Sequence, residues 1–156
     1  MTTTTPENAT RIWHAEPSLE LANERSVNSV ISHLGIEFTE VGADHLTARM
    51  PVDARTLQPA GVLHGGASVV LAETLASWAA TFVVDSERAY CVGMEINANH
   101  LRPVMAGTVT GIARPVALGR RTQVWEIRIT DENDKLVCIS RCTMAVVEPT
   151  AAASKP

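Results

Sequence analysis

Apolar residues recur along this chain with three different spacings, and each spacing predicts a different kind of element. Val27, Val30, Ile31 and Leu34 stand at i, i+3, i+4 and i+7, which predicts one helix over 18–34, with Ser18 as its cap and Gly35 as its stop. Two short strands follow over 36–41 and 46–51, joined by the turn Gly42-Ala43-Asp44, and then a loop rich in turn formers over 53–61. From 66 to 84 the chain is apolar on every helical face, with one charge, Glu73, in the middle. Beyond it, segments 90–100, 107–117, 122–130 and 136–147 read as strands. In the third of these, Val124, Glu126 and Arg128 alternate with Trp125, Ile127 and Ile129, and Asp131-Glu132-Asn133-Asp134 makes the hairpin turn into the fourth. Short connections make the sheet mostly antiparallel. The predicted class is α+β: one curved antiparallel sheet wrapped around one long central helix.

The 66–84 run is long enough to cross a bilayer. Its carboxylate, its hydroxyls, the lack of a basic flank and the amphipathic strands on either side instead favour a helix buried inside a protein. A length of 156 residues suits one domain, and 46% apolar with 19% charged residues is a globular balance. The expected division is a domain over 11–148 between loose tails over 1–10 and 149–156. Only 4% of residues are aromatic, which leaves the core to aliphatic side chains and methionine, a composition suited to thin layers of helix on sheet. A net charge of −4 argues against nucleic acid as a partner. Three cysteines without a signal-peptide pattern point to reduced thiols in the cytoplasm.

Candidate chemistry concentrates around the apolar helix. A carboxylate there loses hydration and needs a partner, yet no Lys or Arg stands three or four residues from Glu73. A structural hydrogen bond to backbone or to a neighbouring subunit would answer that need as well as a catalytic role does. Ser77, one turn on, shares the face of Glu73. His64-Gly65-Gly66 opens the helix, and glycines at a helix start leave N–H groups unscreened, where the helix dipole favours a developing oxyanion. Gly65 and Glu73 are separated by about 12 Å of helix. One straight helix therefore cannot bring both to a single carbonyl, so a joint site requires the helix of a second subunit. Gln58 in the preceding loop is a possible carbonyl donor. The five histidines show no metal-ligand spacing, and Cys138 and Cys142 read as small buried apolar residues, so no metal is expected. Nucleophile-elbow and phosphate-loop motifs are missing. Arg102, Arg120 and Arg121 read by themselves as ordinary surface arginines, and alternatively as one small anion pocket.

With these residues in view, the stretch from Pro51 to Val147 resembles the hotdog-fold acyl-CoA thioesterases, in the group acting on 4-hydroxybenzoyl-CoA and phenylacetyl-CoA. QPAGVLHGGASVVLAETLAS followed by VGMEINANHLRP is similar, more narrowly, to the branch that hydrolyses 1,4-dihydroxy-2-naphthoyl-CoA and to its enterobactin-pathway proofreading counterpart. Ile12-Trp13 and MPVDARTLQP extend the likeness. The resemblance implies that Glu73 is the catalytic carboxylate, as nucleophile or as general base. By the same likeness Gln58 and the Gly65 amide polarise the thioester carbonyl, His64 supports that end of the site, and Ser77 orients water or intermediate. Gly93, His100, Leu101, Arg102 and Pro103, with Ala117, Leu118, Gly119, Arg120, Arg121 and Thr122, would hold the coenzyme A moiety. The implied assembly is a homodimer with active sites at the interface, paired into a homotetramer. The implied substrate is an acyl-CoA, with no further cofactor and no nucleic-acid or membrane partner. Ala60 departs from the pattern, since the nearest relatives carry Phe there. Broad fatty acyl-CoA hydrolysis, a hotdog hydratase or dehydratase, and a non-catalytic acyl-CoA-binding protein are the alternatives weighed. A thiol-release assay, a hydration assay and ligand binding without turnover separate them.

Overall fold

A single antiparallel sheet of six strands lies against one long helix in the computed structural model, which describes residues 10–149. The expected tails fall almost wholly outside those residues. In chain order the elements are α1 (Leu19–Arg25), α2 (Val30–His33), β1 (Glu37–Val41), β2 (Leu46–Val52), α3 (Gly65–Val83), β3 (Tyr90–His100), β4 (Gly107–Leu118), β5 (Thr122–Thr130) and β6 (Leu136–Val147). The strand order is β1-β2-β4-β5-β6-β3. β3 therefore pairs with β6 on one side and leaves its other edge unpaired. This is the hotdog arrangement, with strand boundaries within a residue of those expected.

The side chains explain the layering. On α3, Leu71, Ala72, Leu75, Ala76, Ala79 and Ala80 are fully buried. They meet Val109 and Ala113 of β4, Trp125, Ile127 and Ile129 of β5, and Cys138, Cys142 and Met144 of β6 in one continuous core. Alanine keeps the layers close, and Gly111 of β4 closes them further: a Cβ there would come within 2.7 Å of Leu75 Cδ1. Among the described residues, α3 is the one helix that by length and composition could span a bilayer. Its packing along the sheet makes it the core helix of the domain.

Five of the six aromatic residues form one connected group. Trp13 stacks on Trp125 with ring planes 4° apart and meets Phe82 edge-on. Trp78 in turn contacts Phe82 and Phe38. Trp13 also donates its indole N–H to the Gly42 carbonyl at 2.8 Å. The scarce aromatics thus fasten the N-terminal segment to the second half of α3 and to the middle of the sheet.

The expected single helix over 18–34 is two short ones. Ser18 does cap the first, accepting from the Leu21 N–H, and Gly35 does end the second with φ +70°. Between them the Ser26 hydroxyl donates back to the Ala22 carbonyl, Asn28 turns to φ +61°, and Ser29 starts a new helix with a capping box. Serine side chains compete here for backbone groups that a continuous helix would use, while Asn28 takes up the left-handed turn between the two helices. Val27 and Val30, expected on the buried face, are 61% and 55% exposed.

Candidate active site

The loop before α3 folds so as to present three of the expected groups together. Residues 58–61 make a tight turn, with the Gly61 N–H donating to the Gln58 carbonyl and Gly61 at φ +77°. The Ala60 N–H donates to Gln58 Oε1 at 2.9 Å. That bond occupies the oxygen of the side-chain amide and leaves its NH2 as the outward-facing donor. Nearby, Leu57 and Leu63 form an isolated bridge, and the His64 N–H donates to the Thr56 carbonyl, which fixes the entry to the helix.

His64 is the N-cap of α3. Its Nδ1 accepts from the Gly66 N–H at 2.8 Å, and its carbonyl accepts from Ala67 and Ser68. The second, third and fourth N–H groups of the helix are thereby satisfied. No acceptor among the described residues takes the first, that of Gly65. One unscreened N–H at the positive end of a 19-residue helix is thus left as a donor for an incoming oxygen. The ring of His100 packs directly over this residue, with Nε2 2.7 Å from where a Gly65 Cβ would sit. Gln58, His64, Gly65, His100, Leu101, Arg102 and Pro103 line one cavity of about 560 Å3. Ser68, Leu63 and Val137 also line it. Sequence reading missed Val137 because only the folded β3–β4 connection, whose Leu101 and Arg102 N–H groups donate to its carbonyl, brings it to the helix start. Leu63 and Ser68 flank the helix start in sequence and were passed over because neither carries a distinctive chemical signal.

Glu73 lies elsewhere. It is half-buried, and its carboxylate has neither ion pair nor hydrogen bond among the described residues. It rests against Gly93 of β3, and a Cβ on Gly93 would stand 2.5 Å from Glu73 Oε1. The β3–β6 register shifts between Gly93 and Glu95, a bulge that leaves Met94 exposed beside this contact. Behind it, burial first and then the charges of Glu73 and Glu95 push the Cys142 thiol up to about 12. Cys91 is raised to about 11 by burial alone. Ser77 follows one turn after Glu73, half-buried, its carbonyl accepting from Thr81 Oγ1.

The residues expected to hold coenzyme A fall into three places on one chain. Gly93 lies under Glu73. His100 to Pro103 line the cavity at the helix start. Arg120, Arg121 and Thr122 line a separate cavity of about 460 Å3 with Met94 and Glu148. Ala117 and Leu118 end β4 beside it, and the Gly119 N–H donates to the Thr122 carbonyl to close the turn. The single anion pocket expected from Arg102, Arg120 and Arg121 does not form within one protomer. Arg102 lines the first cavity, while Arg120 and Arg121 line the second.

A six-stranded antiparallel sheet packed on one long helix is the architecture of the hotdog class of thioesterases. The chain belongs to the Thioesterase superfamily, which it matches over residues 60–138. It is 47% identical over 136 residues to the 1,4-dihydroxy-2-naphthoyl-CoA hydrolase of Escherichia coli, covering 87% of this chain and 99% of that protein. Among solved structures, a mutant of thioesterase PA1618 from Pseudomonas aeruginosa is 51% identical with a TM-score of 0.87, covering 88% of this chain and 99% of the other. Protein SAV0944 of Staphylococcus aureus, 31% identical with a TM-score of 0.74 over 77% of this chain and 99% of its own, has been solved with one glutamate replaced by alanine. The same protein has been solved with a glutamine replaced 15 positions earlier. Gln58 and Glu73 stand the same distance apart here.

Proposed function

We propose that this enzyme hydrolyses aromatic acyl-CoA thioesters to the free acid and coenzyme A, with Glu73 as the reacting carboxylate. The observation that carries this reading is the state of Glu73: half-buried on an otherwise apolar helix, unpartnered among the described residues, and seated on a glycine. A structural glutamate in such surroundings would be hydrogen-bonded. The glutamine and glutamate chosen for replacement in SAV0944, at the spacing of Gln58 and Glu73, support it further.

The carbonyl site and the carboxylate meet through a second copy of the chain. Gly93 and His100 lie seven residues apart on β3, roughly 23 Å at about 3.3 Å per residue. Glu73 sits at the first position and Gly65 at the other. If the free edges of two β3 strands pair antiparallel about a two-fold axis between Ile96 and Asn97, Gly93 faces His100 of the partner subunit. Glu73 then faces Gly65 of the partner subunit. The same operation brings Arg120 and Arg121 toward the partner's Arg102, which rebuilds a basic site for the coenzyme's phosphates from two chains. A homotetramer is a pair of such dimers.

In that site the Gly65 N–H and the Gln58 amide polarise the thioester oxygen, and His64 holds the helix start that presents Gly65. The Glu73 carboxylate attacks the thioester carbon directly, forming an acyl anhydride that water then hydrolyses to the free acid and the regenerated carboxylate. Alternatively it takes a proton from water that attacks the thioester carbon, with Ser77 placed to orient that water. The C–S bond breaks, and the coenzyme thiolate leaves and is protonated. The coenzyme arrives as part of the substrate, and no further cofactor is assigned. Three unpaired thiols fit a reducing cytoplasm.

The test is thiol release from aroyl-, phenylacetyl- and fatty acyl-CoA by the wild type and by E73A. Aroyl-CoA is expected to be the preferred substrate. E73A is expected to remain folded and to lose at least a hundredfold in turnover. Near wild-type turnover in E73A would overturn the assignment.

A further inference from the structure

Gln58 and the Gly65 N–H stand on the two arms of one small hairpin that closes at Thr56. Its rungs start at the Leu57–Leu63 bridge, beside which the Gln58 N–H donates to the Val62 carbonyl at 2.9 Å. They end where the His64 N–H donates to the Thr56 carbonyl at 2.8 Å. Gln58 lies two residues after Thr56, and Gly65 directly follows the residue bonded to Thr56. The separation of the two donors and their aim are therefore set at this residue.

Thr56 is only 1% exposed, and its hydroxyl is used in both senses. Oγ1 donates to the Pro51 carbonyl at 2.8 Å and accepts from the Asp53 N–H at 3.0 Å. Pro51 belongs to β2, which stays in register with β4 as far as Val52. The hydroxyl thus fastens the base of the hairpin to the sheet. The arm leading to α3 has a fastening of its own, the Leu63 N–H donating to the Val104 carbonyl at 2.7 Å. Without the hydroxyl, the Asp53 N–H loses its acceptor and the Gln58 arm is free to move against the Gly65 arm. A buried side chain of the same shape could fill the space but not make these bonds.

We propose that Thr56 is the positioning residue of the carbonyl site, its hydroxyl holding the Gln58 amide and the Gly65 N–H at the spacing that one thioester oxygen requires. It does not meet the substrate and acts through Gln58 and His64. The proposal rests on the reading of the carbonyl site given above and adds to it what keeps both donors on a single oxygen.

The experiment measures kcat and KM for benzoyl-CoA in the wild type, T56S, T56C and T56V. Valine keeps the shape and lacks the hydroxyl, serine keeps the hydroxyl, and cysteine offers a weaker donor. T56V is expected to lower kcat at least tenfold with KM within about threefold, since misplaced donors cost the transition state more than the bound substrate. T56S is expected to stay within about threefold of the wild type, with T56C between the two. Unaltered kcat in T56V, or a T56S that falls as far, overturns the proposal. Should T56V not fold, the serine and cysteine variants carry the comparison, and equal kcat in those two overturns it. A second readout needs no turnover. Hydrogen bonds to a carbonyl oxygen weaken the C=O bond and lower its stretching frequency. Benzoyl-CoA bound to E73Q is expected to show that lowering, E73Q/T56S to keep it, and E73Q/T56V to lose about half of it or more. A mere loss of stability leaves the frequency of the bound thioester where it was. Equal frequencies in the E73Q and E73Q/T56V complexes, or no lowering in E73Q, overturn the proposal. A wild type that hydrolysed no thioester would refute the thioesterase reading, while the carbonyl frequency still decided the role of Thr56.

Discussion

Glu73 Oε1 occupies space that a side chain on Gly93 would need, 2.5 Å from the position of the absent Cβ. The carboxylate is the mobile party in that contact, being the far end of a flexible side chain, whereas Gly93 is tied into the β3–β6 ladder. G93A should therefore displace the carboxylate and spare the strand. We expect kcat to fall at least tenfold, because a shift of about 1 Å at a reacting group can cost a hundredfold. The melting temperature should change by no more than about 2 °C, as for a substitution relieved by one side chain. Steady-state kinetics and thermal unfolding on the same preparation check the pair of outcomes. A large loss of stability, or unaltered kcat, contradicts the contact.

Mixing two inactive variants tests whether Gln58 and Glu73 meet across a subunit boundary. In a heterodimer of Q58A and E73A, one site carries both substitutions and the other carries neither. Random reassociation should recover about a quarter of the wild-type activity from two nearly inactive parents. If both groups of a site came from one chain, the mixture would stay at the parental level.

The cap at His64 separates a structural contribution from an electrostatic one. H64A removes the acceptor for the Gly66 N–H and should cost about 1 kcal/mol, seen as a melting temperature lower by a few degrees. H64D can cap the helix as well as the imidazole does, and should restore stability. It also places a negative charge beside the Gly65 N–H, where the carbonyl oxygen gains charge, and should hold kcat/KM at least tenfold below the wild type. H64N should restore stability without that penalty. Equal kinetics for the aspartate and asparagine variants would argue against an oxyanion at Gly65.

Much of this architecture is legible in the residue pattern. The strands of the second half alternate strongly because one sheet face is buried, and the run around Glu73 is apolar where it packs on that face, through Leu71, Ala72, Leu75, Ala76, Ala79 and Ala80. Gln58, His64 and Gly65 are close in sequence, so local turns suffice to gather them. The break at 26–29 was hidden because Val27 and Val30 mimic a buried stripe while Ser26 and Ser29 satisfy the backbone otherwise and Asn28 turns it left-handed. Three facts needed the folded sheet: Gly93 under Glu73, Val137 at the helix start, and the separation of Arg102 from Arg120. Each joins residues far apart in the chain, through strand register and curvature that no local pattern encodes.

Gly111 has a consequence well away from its own surroundings. It lets Leu71 and Leu75 sink toward β4, and Glu73 stands two positions from each, roughly 200° around the helix. The height of the carboxylate above β3 is therefore set from the opposite side of α3, by how far the leucines can settle. Any side chain at 111 would act as a wedge, lifting the helix and with it the reacting group, though it never meets substrate. Turnover is therefore expected to respond to the residue at 111, on the helix-facing side of β4, while every residue of the pocket stays the same.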